Sequence, residues 1–195
     1  HVTVDEVNNI LWAYTKDGFL RAYTFNGTSI LSVAVSESYE EDDEKSEDDD
    51  DTNHTALVVN PQDATVWLAV GKSLFKYDSN GVLLLTLNLS HNVKALSLDK
   101  INNRIWVATK KTISAYNTSG AVILNLVLGK DTHVEAIDVD TDSGDLWVAI
   151  KKGVRRYAAN GSLLFETKID KLQYLANNTD GVWVATKKEL YNFIK

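Results

Sequence analysis

The 195-residue sequence contains no cysteine. That excludes a disulfide framework, a thiolate metal site and a cysteine nucleophile, and it leaves the redox compartment open. Methionine is also absent and the chain begins at His1, so the expectation is a processed or excised piece of a longer protein. A single proline excludes proline-rich linkers. No apolar run is long enough for a transmembrane helix, and no secretory apolar core opens the chain. The nucleophile-elbow, P-loop and dinucleotide fingerprints are missing too. What is present is 44% apolar residues, enough to build a core and to exclude general disorder.

Charge is concentrated. The formal charge is −7, but residues 37–51 alone hold 11 acids and one lysine and sum to −10. The remaining residues sum to +3. The chain therefore reads as a mildly basic body carrying one acidic insert, 37–53.

Five tryptophans reveal an internal repeat. Trp67, Trp106, Trp147 and Trp183 are spaced 39, 41 and 36 apart, and Trp12 precedes Trp67 by 55, one repeat plus the insert. Each lies in a short apolar stretch, as in Ile105-Trp106-Val107-Ala108 and Leu146-Trp147-Val148-Ala149. Seven residues before the first four stand Asp5, Asn60, Asp99 and Asp140, and Asn177 is six before the fifth. About ten residues after each Trp comes Tyr23, Tyr77, Tyr116, Tyr157 or Phe193. Gly27, Gly81, Gly120 and Gly161 follow the four tyrosines. The segments between these marks are short, β-branched or alternating, and bounded by turn residues, with Asn-Gly at 26–27, 80–81 and 160–161 suited to tight hairpins. Each repeat thus predicts four strands, a to d, with Asx closing a, Trp in b, Tyr in c and Gly before d.

Four-stranded units of about 40 residues are the pattern of a β-propeller. Val139-Asp140, Trp147-Val148-Ala149 and Tyr157 to Gly161, with their counterparts at 98–99, 106–108 and 116–120, resemble NHL-type and ligand-sensor-type propeller repeats. That resemblance implies an all-β propeller of about five blades, over residues 1–36, 54–90, 91–130, 131–170 and 171–195, as a single domain. It implies no one activity, because such propellers host binding, scaffolding and catalysis.

The last repeat ends at strand c. Three readings stay open: a five-bladed ring with one three-stranded blade, a slice of a larger propeller, or an edge completed by a strand from another chain.

In a propeller the b–c turns and d–a connections share one face. The b–c turns carry Lys16, Lys72, Lys110, Lys111, Lys151, Lys152, Lys187 and Lys188, and the acidic insert with Asp48, Asp49, Asp50 and Asp51 is a d–a connection. A solvated, self-repelling loop is one reading; folding across the lysines or docking on a basic neighbour is another. Calcium is a third, without the D-x-D-x-D-G spacing that would fix its geometry. His1, His54, His91 and His133 each precede a strand a, a placement from which imidazoles could share a transition metal. None has a ligand neighbour at local zinc spacing, so polar loop histidines are the plainer reading. The recurrent Asx residues are expected to cap the a–b turns, and the aromatics to pack between blades.

Six N-x-S/T sequons occur, at Asn26, Asn53, Asn88, Asn117, Asn160 and Asn177, well above chance placement. Turn chemistry accounts for some; the rest favour an extracellular or cell-surface glycoprotein. Asn177, in an Asx position, is the least suited acceptor. The expected function is a non-catalytic binding or assembly module whose partner is a protein, itself or the rest of a longer chain, without nucleic acid or membrane insertion. The acidic insert disfavours phosphate backbones. The rival is a metal-dependent ligand sensor or a gluconolactonase-like or lyase-like propeller enzyme.

Overall fold

A computed structural model of the chain describes residues 1–36, 54–129, 132–170, 172–178 and 181–194. The acidic insert, with Asp48 to Asp51 and the sequon at Asn53, lies outside the described residues. The described chain is all-β: 19 strands, all in antiparallel sheets, and no helix. It divides into two compact units, His1–Asn92 and Val93–Lys195.

The first unit holds two four-stranded meanders. One is β1 (Val2–Asp5), β2 (Ile10–Tyr14), β3 (Phe19–Thr24) and β4 (Ser29–Ala34). The other is β5 (Thr55–Asn60), β6 (Thr65–Val70), β7 (Ser73–Tyr77) and β8 (Leu83–Asn88). The second unit holds β9 (Val93–Asp99), β10 (Arg104–Thr109), β11 (Thr112–Asn117) and β12 (Val122–Val127), then β13 (Val134–Val139), β14 (Leu146–Ile150), β15 (Gly153–Tyr157) and β16 (Leu163–Thr167). It ends in a three-stranded sheet, β17 (Leu172–Asn178), β18 (Gly181–Thr186) and β19 (Leu190–Ile194).

The repeat register is kept throughout. In every sheet the residue before the Trp faces the Tyr or Phe of the next strand: Leu11 and Tyr23, Val66 and Tyr77, Ile105 and Tyr116, Leu146 and Tyr157, Val182 and Phe193. Where a fourth strand exists, a bulge falls beside that Tyr. The bulge ends strand c and hands the chain to the Gly turn.

Because side chains alternate across a sheet, each sheet has two apolar faces. Trp points to one, and its two b-strand neighbours point to the other. In the first unit, Trp12, Leu20 and Ala22 of the first sheet pack against Val59, Val66, Leu68, Phe75 and Tyr77 of the second. In the second unit, Trp106, Ile113 and Ala115 pack against Val139, Leu146, Val148 and Tyr157. Trp147 and Val154 then pack against Leu172, Val182 and Val184. So a leading face bearing Trp meets the trailing face of the next sheet, three times over. First strands adjoin as well: β1 lies beside β5, and β13 lies beside both β9 and β17.

The Gly before strand d serves this packing. Gly81 and Gly161 have φ of +78° and +87°, a region costly for residues with a Cβ. A Cβ on Gly81 would meet Val33 Cγ2 at 2.6 Å, and one on Gly161 would meet Leu126 Cδ2 at 2.9 Å. Each turn is pressed onto the outer strand of the preceding sheet.

Candidate functional site

One edge of each four-stranded sheet gathers the start of strand a, the b–c hairpin and the end of strand d. Backbone bonds tie them: Tyr14 N–H to His1 O (2.9 Å), Gly71 N–H to His54 O (3.1 Å) and Lys151 N–H to His133 O (3.0 Å). The strand-d ends close on the same hairpins, with Leu89 N–H on Lys72 O (2.8 Å) and Ile169 N–H on Lys152 O (3.2 Å). Lys110 O accepts from Val134 N–H at 3.0 Å, which carries the chain into the next sheet. The b–c turns and the histidines therefore share an edge in the first, second and fourth sheets.

On that edge Lys16, Lys72, Lys111, Lys151, Lys152, Lys187 and Lys188 are exposed, and Lys110 is half-buried. The hairpins are held by their own polar groups. Thr109 Oγ1 accepts from Lys111 N–H and Thr112 N–H, and Thr186 Oγ1 accepts from Lys188 N–H and Glu189 N–H. His91 Nδ1 is 2.8 Å from Ser90 Oγ. Among the described residues, no three histidine or carboxylate side chains gather closely enough to hold a metal ion. The candidate ligands His54, His91 and His133 form no such group.

Four of the recurrent Asx residues, Asp5, Asn60, Asp99 and Asp140, are capping groups. Asp5 accepts from Asn8 N–H and Asn8 Nδ2, and Asp99 accepts the same pair from Asn102. Asn60 accepts from Gln62 N–H, and Asp140 from Asp142 and Ser143 N–H. Asp99 also takes a buried ion pair from Arg104 Nε at 2.7 Å. Arg104 in turn lies over the Trp106 ring, 4.7 Å from its centroid. Lys76 with Trp67 and Asp63, and Arg156 with Trp147 and Asp145, repeat this carboxylate–cation–indole stack. Lys76 and Arg156 share one repeat position, directly across from the Trp, whereas Arg104 reaches its indole from within the Trp strand; sequence reasoning missed the stacks because the Trp–cation pairing runs across two strands and the third copy breaks the pattern.

A polar junction joins the three first strands of the second unit. Ser97 Oγ donates to Asp138 Oδ1 at 3.2 Å and accepts from Val139 N–H at 3.0 Å. Asn177 N–H donates to Asp138 Oδ2 at 2.8 Å. Burial pushes the Asp138 carboxyl above its ordinary value, and the donated hydrogen bonds counter only part of that. The Ser97 hydroxyl is committed on both sides and no imidazole is among its partners here. The junction ties sheets together rather than forming a nucleophile–base pair.

The outer strands are the second feature that alternation rules missed. Leu83 and Leu84 of β8, Val122, Ile123 and Val127 of β12, and Leu163, Leu164 and Phe165 of β16 are all exposed. The signal was there in consecutive apolar residues such as Leu83-Leu84-Leu85, which a one-sided strand does not need. β19, by contrast, has no strand on its outer side among the described residues. Its inner face is seated: the Phe193 ring lies 6.2 Å from Trp147 and 5.7 Å from Phe165.

The sequon asparagines differ in access. Asn26, Asn88 and Asn160 are exposed and Asn117 is half-buried. Asn26 Oδ1 accepts from Thr28 N–H, Asn117 Oδ1 from Ser119 and Ala121 N–H, and Asn160 Oδ1 from Ser162 N–H, all inside turns. The Asn177 amide atoms are buried.

Compared with known proteins, the chain matches no protein-family model. No curated protein matches it in sequence either.

Proposed function

We propose that the five sheets are blades of a β-propeller and that the chain is a non-catalytic binding and assembly module. The observation that carries this reading is the last sheet: three strands, a seated inner face, and an outer edge at β19 with no partner strand among the described residues. An open edge offers a row of backbone donors and acceptors to any extended apolar segment. The four outer strands of the other sheets show what such a segment looks like. The lysine edge, with the acidic insert attached to it in sequence, is the module's charged contact surface. Extracellular or cell-surface placement is part of the proposal and rests on the sequons.

The test is a synthetic peptide of residues 82–88, the apolar outer strand, added to the intact chain while amide hydrogen exchange is followed. Slowed exchange across residues 190–194 is the expected result. Unchanged exchange there at saturating peptide overturns the strand-accepting module.

A further inference from the structure

The three sheet-to-sheet interfaces within the two units follow one rule, and two of the faces outside them, one on the first sheet and one on the last, are exposed. Every leading face is built on a Trp that the next sheet buries: Trp12, Trp106 and Trp147 are 1%, 0% and 3% exposed. Trp183 stands at the same register position in the last sheet and is 38% exposed, with Tyr174 and Leu190 open around it. The trailing face of the first sheet is uncovered in the same way. Val4 and Leu11 occupy the positions of Val59 and Val66 in the second sheet, which are 5% and 0% exposed; Val4 is 47% exposed. Val4, Leu11, Tyr23 and Phe25 instead line an open apolar concavity of about 510 Å³ with Gly27 at its end. Gly27 completes the correspondence. Gly81 and Gly161 are pressed against a preceding outer strand, whereas nothing lies within 4 Å of a Cβ built on Gly27.

These two exposed faces thus match the two halves of an interface that the chain already makes three times. We propose that the trailing face of the first sheet docks the leading face of the last sheet of a second copy, head to tail. The occupant follows from continuity: Val4, Leu11 and Tyr23 are shaped and spaced as the residues that cover a Trp elsewhere in the chain. The contact is heterologous, so it propagates from copy to copy unless the rotation between copies closes it. This inference rests on the assembly reading above and names its partner. The β19 edge and this face are separate surfaces, so the peptide experiment and the following one fail independently.

Because Trp183 is exposed while the other four tryptophans are buried, acrylamide quenching reads the interface directly. The intact chain is followed from dilute to concentrated solution by light scattering and quenching together, with Trp183→Phe assigning the accessible signal. Growth in mass accompanied by loss of the quenchable fraction is expected. Val4→Arg should abolish both changes, leaving Trp183 quenchable and the buried tryptophans protected as proof of folding. Phe25→Arg, at a more exposed site, serves if Val4→Arg does not fold. Three results overturn the proposal: a strict monomer with Trp183 always quenchable, a monomer with Trp183 already protected at the lowest concentration (the face then being covered within one chain), or association that both arginine variants leave intact.

Discussion

The backbone N–H of Asn177 ends on the Asp138 carboxylate at 2.8 Å, so one side chain on β13 satisfies a donor on the neighbouring first strand. Ser97 reaches the same carboxylate from the other side. Asp138→Ala strands both donors, and it should lower the stability of the second unit by about 1–3 kcal/mol, read from urea midpoints. Asp138→Asn keeps an acceptor for Asn177 and should cost less.

The same residue sets a pH dependence. Burial raises the Asp138 pKa, so the folded state binds its proton more tightly than the unfolded chain does. Its contribution is fully present below the ordinary carboxylate value and is lost as pH rises through the folded value. Urea titrations across the acid range should therefore show a component favouring the folded state at low pH. Asp138→Asn should remove that component, and an unchanged profile would exclude Asp138 as its source.

Arg104 and Asp99 form a buried pair under Trp106. Asp99→Asn retains the turn-capping oxygen but leaves a guanidinium without its counter-charge, and a loss of about 3–5 kcal/mol is expected. Arg104→Lys should also lower stability, since an ammonium cannot lie as a plane over the Trp106 ring while it pairs with Asp99. Thermal or urea unfolding of the two variants beside the unaltered chain checks both losses.

Gly27 and Gly81 occupy the same turn position in different surroundings. Gly27→Ala meets only the left-handed backbone penalty, about 1–2 kcal/mol. Gly81→Ala meets that and the Val33 methyl at 2.6 Å, and should be the more damaging. Equal losses would show that Gly27 is also covered.

Expression in a glycosylating host should give added mass that falls when Asn26, Asn88 or Asn160 is changed to Gln. Asn177→Gln should leave the mass of the glycans unchanged, because its amide atoms are buried. Site-resolved mass spectrometry decides both points.

Much of this molecule is local and was therefore legible in order. The Trp, Tyr and Asx spacings set strand number, register and turn positions, because alternation and turn chemistry act over a few residues. The repeat even showed that the last sheet stops at strand c. The absence of cysteine by itself excludes a thiolate site and a disulfide framework.

Tertiary structure decided what depends on neighbours distant in sequence. Asp138 looks like an ordinary strand carboxylate until Ser97 and Asn177 arrive from two other sheets. Trp183 matches Trp12, Trp106 and Trp147 in sequence, yet it is open where they are closed, because burial belongs to the next sheet and not to the residue. The repeats determined what each sheet is. Only their stacking decided which apolar faces are satisfied and which are left to bind.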